Sequence, residues 1–179
     1  MTVGGALAGR VVAVATMMLL AVFASACTRG ASGPAPGDLS PDFVLPRLDG
    51  SVQKLSNYRG KVVLVNMWAT WCPPCLEELP LLNRIQERYR QRGLVVLGLA
   101  GDDDPQRVRD FLSANPVSFD VLLDVGGEVG TQYGIIGYPE TFVVDREGRL
   151  RKKLIGPLPA DAGRPAKELS DALEAVLGG

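Results

Sequence analysis

The hydrophobic positions fall into short runs with two different periods. Val62-Val63-Leu64-Val65-Asn66-Met67-Trp68 is an apolar, β-branched run, the pattern of a strand buried on both faces. From Leu76 to Gln91 the spacing changes. Leu79, Leu82, Ile85, Gln86 and Tyr89 recur at intervals of three and four, which predicts a helix. Leu94 to Ala100 is a second buried strand, and strand, helix, strand in that order predicts a parallel βαβ unit. Asp104 before Pro105 reads as a helix start, and Val108, Phe111 and Leu112 give that helix its apolar face. Phe119 to Leu123 reads as a third short strand and Glu128 to Tyr133 as a brief helix. Thr141 to Asp145 and Leu150 to Ile155 form a strand pair turning at Arg146-Glu147-Gly148-Arg149, and Gly156, Pro157 and Pro159 end the sheet. Leu169, Ala172, Leu173, Val176 and Leu177 mark a closing amphipathic helix. Ahead of all these, Phe43-Val44-Leu45 and Val52-Gln53-Lys54-Leu55 flank Asp49-Gly50, a hairpin signal.

Trp71-Cys72-Pro73-Pro74-Cys75 lies where the central strand gives way to the long helix. Two cysteines separated by two residues are the minimal unit for reversible dithiol–disulfide exchange. The first turn of a helix has backbone N–H groups without partners and carries the positive end of the helix dipole. A thiolate there is stabilised, and in such motifs its pKa falls from about 8.5 to as low as roughly 3.5. Cys72 is therefore the candidate nucleophile, expected to be exposed. Cys75, one turn deeper, is the candidate resolving thiol. Pro73 and Pro74 fit a first turn, where a missing N–H costs little. Pro80, further along, removes the bond to the Leu76 carbonyl and would bend the helix. A static structural disulfide is the alternative use of the pair, although so short a loop gives the smallest entropic gain.

Composition narrows the chemistry. The chain has 179 residues, 46% hydrophobic and 22% charged, which suits one globular domain with additional segments. The net charge of −1 gives no sign of a nucleic-acid surface. There are three cysteines and no histidine, which disfavours a structural zinc site of about four ligands, and a Ser-His-Asp triad, a Cys-His protease pair or an imidazole-bound metal cannot be built from this chain alone. No metal is expected, and no cofactor beyond a redox-active Cys72–Cys75 disulfide.

Residues 1–26 resemble an export signal. Arg10 is the sole charged side chain, Val11 to Phe23 is apolar apart from Thr16, and Ala24-Ser25-Ala26 follows. The apolar run is shorter than the roughly 18 residues of a spanning helix, with an uncleaved membrane anchor as the alternative. Cleavage after Ala26 would leave Cys27 first. That resembles the lipobox of bacterial lipoproteins, although Ala24 stands where the pattern usually has Leu. The tripeptide also fits an ordinary signal-peptidase site. Lipidation would account for the odd third cysteine. Either way the expected location is outside the cytoplasm: lipid-anchored at the outer face of the membrane, periplasmic or extracellular, and oxidising. Residues 27–41, rich in Gly, Ser and Pro, read as a flexible linker, which assigns 42–179 to the folded domain.

The chain from about Asp42 to Leu177 resembles the thioredoxin superfamily, and more closely its exported TlpA/ResA/DsbE type. Asn66-Met67-Trp68-Ala69-Thr70-Trp71-Cys72-Pro73-Pro74-Cys75 is similar to the family's active-site strand and turn, extended by Glu78 and Pro80. Gly137-Tyr138-Pro139-Glu140-Thr141-Phe142 resembles its second signature, in the Pro-Glu-Thr-Phe form of the cytochrome-maturation members. The resemblance implies a thioredoxin-like α/β fold: a central mixed sheet flanked by helices, with the hairpin as an N-terminal extension. It implies a cis peptide before Pro139, with Trp71, Tyr138 and Pro139 binding a substrate strand beside Cys72. The same ground gives Glu140 a part in partner choice, with a solvated residue at a strand start as the alternative. Ordinary thioredoxins carry an Asp six positions before the first cysteine. Asn66 stands there and cannot titrate, which shifts the proton-exchange role to Glu78, one helical turn beyond Cys75. The alternative for Glu78 is a solvated helix glutamate.

The implied activity is thiol–disulfide exchange on protein substrates, with the haem-binding site of apocytochrome c as the implied target. A membrane-embedded thiol-reducing donor would restore the reduced pair. The same chemistry reversed would form disulfides in secreted proteins. A thiol peroxidase is a further alternative, but Pro-x-x-x-Thr-x-x-Cys precedes neither Cys72 nor Cys75. A copper-binding assembly lipoprotein is the non-enzymatic alternative, and that class typically adds a histidine to its two cysteines.

Overall fold

The computed structural model describes residues 33–102, 104–158, 160–161, 164–165 and 167–178. The expected signal sequence, residues 1–26, and Cys27 lie outside these. Strands β1 (Val44–Pro46) and β2 (Val52–Lys54) pair antiparallel as the expected hairpin, with Gly50 at positive φ in the turn. A short 3-10 turn, Leu55–Tyr58, leads to β3 (Val62–Trp68). Then come α1 (Pro73–Tyr89), β4 (Leu94–Ala100), α2 (Pro105–Ala114), β5 (Asp120–Leu123), α3 (Glu128–Gln132), β6 (Glu140–Val144) and β7 (Leu150–Ile155). Two-residue strands β8 (Ala160–Asp161) and β9 (Arg164–Pro165) precede α4 (Lys167–Leu177).

The main sheet has the order β5-β4-β3-β6-β7. β3 runs parallel to β4 and antiparallel to β6, and every residue of β3 is buried. Alternation then sorts its side chains between two apolar layers. Val62, Leu64 and Trp68 pack with Leu79, Leu82, Ile85 and Tyr89 of α1, Val108 of α2, and Leu169, Leu173 and Leu177 of α4. Val63, Val65 and Met67 face the other way, onto Phe43, Leu55, Val129, Tyr133 and Phe142. Helices thus cover one face, and the hairpin, the 3-10 turn and α3 cover the other.

Polar side chains close the ends that packing leaves open. Asp104 accepts from Gln106 N at 2.9 Å, the expected cap of α2. Asp124, buried, accepts from Val129 N and Gly130 N at the start of α3. Arg146 Nη1 donates to the Val176 carbonyl, 2.9 Å away, at the end of α4. The register of β5 on β4 begins at Leu97, so the Val96 amide has no strand partner there. Gln86 Oε1 on α1 accepts it at 2.7 Å.

The expected linker is shorter than residues 27–41. Gly37 N donates to Leu150 O at 2.7 Å, Leu150 N to Asp38 O at 2.9 Å, and Ser40 N to Gly148 O at 2.9 Å. Leu39 bridges Arg149, and Tyr133 Oη donates to the Pro41 carbonyl. The cause is the open edge at the start of β7, whose peptide groups need partners that Gly37–Ser40 supply. These residues belong to the fold, not to a solvated tether.

Replacing Gln86 with Leu keeps the volume and strands the buried Val96 amide. The expected loss is about 1–3 kcal/mol, measured by urea unfolding of the oxidised protein. A loss within error would show that the bond contributes nothing to stability.

Candidate active site

Cys72 is the N-cap of α1, with extended backbone, and Pro73 and Pro74 occupy the first turn. Its carbonyl accepts from Cys75 N at 3.0 Å and Leu76 N at 3.3 Å. The helix therefore begins at the first cysteine, and the positive end of its dipole meets that sulfur. Cys72 and Cys75 are joined as a disulfide. Cys72 is 4% exposed and Cys75 fully buried, both within the apolar layer under α1. The expectation of an exposed Cys72 thus needs correction for the oxidised protein, in which the sulfur packs with that layer.

The exposed surface at this end of the sheet comes from neighbours. Trp71 is 60% exposed and meets the ring of Tyr138 edge-on at 5.5 Å between centroids. The Tyr138–Pro139 peptide is cis. Ile136 and Ile155, at 81% and 63% exposure, flank the same loop, and Gly156 N donates to the Pro139 carbonyl. The structure therefore brings Trp71, Tyr138 and Pro139 together beside the disulfide.

Glu140 is not the solvated residue of the alternative reading. It is fully buried, accepts from Ile136 N at 2.8 Å through Oε1, and pairs through Oε2 with Lys153 Nζ at 2.9 Å. Lys153 Nζ also donates to the Gly134 carbonyl at 2.8 Å. The solvated alternative is excluded, and the carboxylate faces inward, where it ties down the loop ahead of Pro139. Any influence on a partner runs through that loop.

Glu78 lies on the buried face of α1 with 4% of its surface exposed, so the solvated alternative fails here as well. Asn66 Nδ2 donates to its Oε1 at 2.7 Å and Leu158 N to its Oε2 at 2.8 Å. Asn66 Nδ2 also reaches Thr141 Oγ1 at 3.0 Å. Burial pushes the Glu78 carboxyl up from the usual carboxylate range, and the bonds from Leu158 and Asn66 partly offset it. A carboxyl so placed can carry a proton nearer neutrality than a solvated glutamate.

Several supporting groups escaped the sequence pattern. Asp102, 1% exposed at the end of β4, accepts from Thr70 N at 3.0 Å and from the Thr70 hydroxyl, fixing the segment just before Trp71 and Cys72. Beside it, Gly101 N bonds the Trp68 carbonyl, and a Cβ on Gly101 would lie 2.0 Å from Tyr138 Oη. A side chain at 101 would push Tyr138 off its seat. In sequence Asp102 is one of three successive acids, and nothing local separates it from Asp104, the helix cap. Lys153 likewise looks like any charge on an edge strand.

A dithiol at a helix N-terminus, faced by a cis-proline loop on a thioredoxin-like sheet, defines a thiol–disulfide oxidoreductase. The family model for the AhpC/TSA family matches residues 36–153, and the chain belongs to that family, as a thioredoxin-like protein of the TlpA/ResA/DsbE type. The thiol-disulfide oxidoreductase ResA of Geobacillus thermodenitrificans is 34% identical over 124 residues, which is 69% of this chain and 71% of that protein. The ResA of Bacillus thuringiensis subsp. konkukian is 33% identical over 120 residues, covering 67% and 69%. The crystal structure of a Chlorobium tepidum protein named as the thiol:disulfide interchange protein DsbE superposes with a TM-score of 0.75 at 35% identity. That match covers 82% of this chain and all of the other. Among the described residues no helix is long and apolar enough to cross a membrane.

The raised Glu78 pKa fixes a sign for stability. Between the ordinary carboxylate pKa and the raised one, the folded protein holds a proton that the unfolded chain has lost. Stability therefore falls as pH rises through that window. Glu78→Gln should abolish that fall and unfold at higher urea than the parent at neutral pH. Urea titrations of both oxidised proteins from pH 4 to pH 8 measure it, and parallel curves would contradict a raised pKa.

Proposed function

We propose that this oxidoreductase works outside the cytoplasm as a reductant of protein disulfides, with apocytochrome c as its substrate class. Cys72 thiolate attacks a substrate disulfide, forming a mixed disulfide and releasing one substrate thiolate. Glu78 takes the Cys75 proton. Cys75 then attacks Cys72 Sγ, the Cys72–Cys75 bond forms, and the second substrate sulfur leaves and is protonated. One substrate disulfide is reduced and one protein dithiol oxidised. A membrane-embedded thiol-reducing protein returns two electrons.

The observation that carries the proposal is the burial of Glu78 on the helix of Cys75. A resolving thiol inside an apolar layer has no water to receive its proton, and a raised-pKa carboxyl one turn away meets that need. The substrate strand would pair with the Tyr138 backbone and lie over Trp71. The apolar stretch Val11 to Phe23 and Cys27 support export and lipid anchoring. The oxidoreductase and interchange names of the relatives favour thiol–disulfide exchange over peroxide reduction or metal assembly.

The deciding experiment is the reduction potential of the Cys72–Cys75 pair in defined glutathione or dithiothreitol buffers. A reductant should sit near the thioredoxin value of about −270 mV. A value near the about −120 mV of DsbA would mark an oxidant and overturn the direction. In single-turnover exchange Glu78→Gln should slow resolution of the mixed disulfide about a hundredfold, within the range of acid–base catalysis, with formation of the mixed disulfide little changed. An unchanged resolution rate removes Glu78 from the mechanism.

A further inference from the structure

Glu78 is held by donors alone. Asn66 Nδ2 faces Oε1 and Leu158 N–H faces Oε2. That set matches a carboxylate. A carboxylic acid has an O–H that must find an acceptor, and neither partner offers one in this orientation. An acceptor lies on the same side chain. Asn66 Oδ1 is buried, on a residue with no exposed surface, and makes no hydrogen bond. Half a turn about the Cβ–Cγ bond of Asn66 exchanges Oδ1 with Nδ2 and presents an acceptor to Glu78. Thr141 stands directly across from Asn66 in the β3–β6 register. Its hydroxyl accepts from Nδ2 as the side chain now stands, and it can donate to Oδ1 after the turn.

We propose that Asn66, backed by Thr141, is a reversible partner of Glu78: its amide donates to the carboxylate and, turned over, accepts from the acid. Asn66 and Thr141 are thus positioning residues that act through Glu78. The proposal deepens the role given to Glu78 above and rests on that reading for its part in catalysis, whereas the turn itself requires only that Glu78 titrate. The turn leaves the amide N–H groups facing the position Oδ1 vacated, so the carboxylate arrangement is the resting one. An aspartate at 66 would instead set a second carboxyl against Glu78 and could not offer a fixed donor.

The charged surroundings leave Asn66 as the adjustable contact. Burial, the Leu158 amide and Asn66 account for the shift of Glu78, with no charged partner among its causes. Glu77, its neighbour on α1, is exposed. Glu140, next to Thr141 on β6, alternates to the opposite face of the sheet and is bound to Lys153 and the Ile136 amide. Cys75, on its own helix, is in the disulfide.

The test follows Glu78 by carboxyl carbon NMR in the full-length oxidised protein, in mild detergent, together with the Asn66 side-chain amide signals. In the parent protein the amide protons should part from both Glu78 and Thr141 on the acid side of the Glu78 titration, with the same midpoint. In Glu78→Gln they should not change with pH. Amide protons that stay against the carboxyl throughout would overturn the proposal without any variant at Asn66. Asn66→Leu gives a second reading. Loss of a fixed donor would raise the Glu78 pKa by about one unit or more, the tenfold of a charge-assisted bond. Loss of a partner that also serves the acid should raise it by less than that, and a rise of about one unit or more counts against the turn. These titrations are separate from exchange kinetics. A rate unaffected by Glu78→Gln would remove the catalytic role and leave the amide result standing.

Discussion

The site exists because β3 is paired on both sides, with opposite senses. Its parallel neighbour β4 requires a crossover, and α1 is that crossover, so the helix begins at the end of β3 with Cys72 at its cap. Its antiparallel neighbour β6 must start where β3 ends, so the cis Tyr138–Pro139 peptide arrives at the same end from elsewhere in the chain. The dithiol and the proline loop meet through the hydrogen-bond ladder of one strand. Were β6 parallel to β3, the loop would lie at the far end of the sheet.

Around that meeting point the molecule tolerates polar groups in places that favour oil. Asn66, Glu78, Asp102, Glu140 and Thr141 are all nearly or wholly buried. Each is tied to backbone or to another of the set. Asp102 holds Thr70, Glu140 holds Ile136, and Asn66 joins Glu78 to Thr141. An unpaired polar group in such surroundings is costly. The network therefore fixes the loops on both sides of the disulfide while leaving one carboxyl whose proton affinity is raised by burial. Rigidity and acid–base capacity come from the same desolvation.

Most of the architecture was legible in periodicity. The run from Val62 to Trp68, the i, i+3, i+4 spacing after Leu76 and the Asp104-Pro105 cap each led to the observed element, the long helix with shifts of three and two residues at its ends. The Cys-x-x-Cys pair was visible because its chemistry is local. What escaped notice depends on residues distant in the chain. The burial of Glu140 is set by Lys153 on the next strand, the work of Asp102 by its meeting with Thr70, and the backbone donor to Glu78 by Leu158. A glycine- and proline-rich stretch reads as a linker by composition, yet Gly37–Ser40 is ordered by an edge it cannot announce in its own sequence.

That last contact has a mechanical meaning. A pull applied at Gly37 reaches the sheet first through the few bonds between Gly37–Ser40 and Gly148–Leu150. These act as a strap on the rim of the sheet, at the turn between β6 and β7, while Cys72 follows the opposite end of β3. Under load the strap would shear before the strands that carry the dithiol. The catalytic end would keep its shape while the strap gave way, so a load taken up at this rim would leave the chemistry undisturbed.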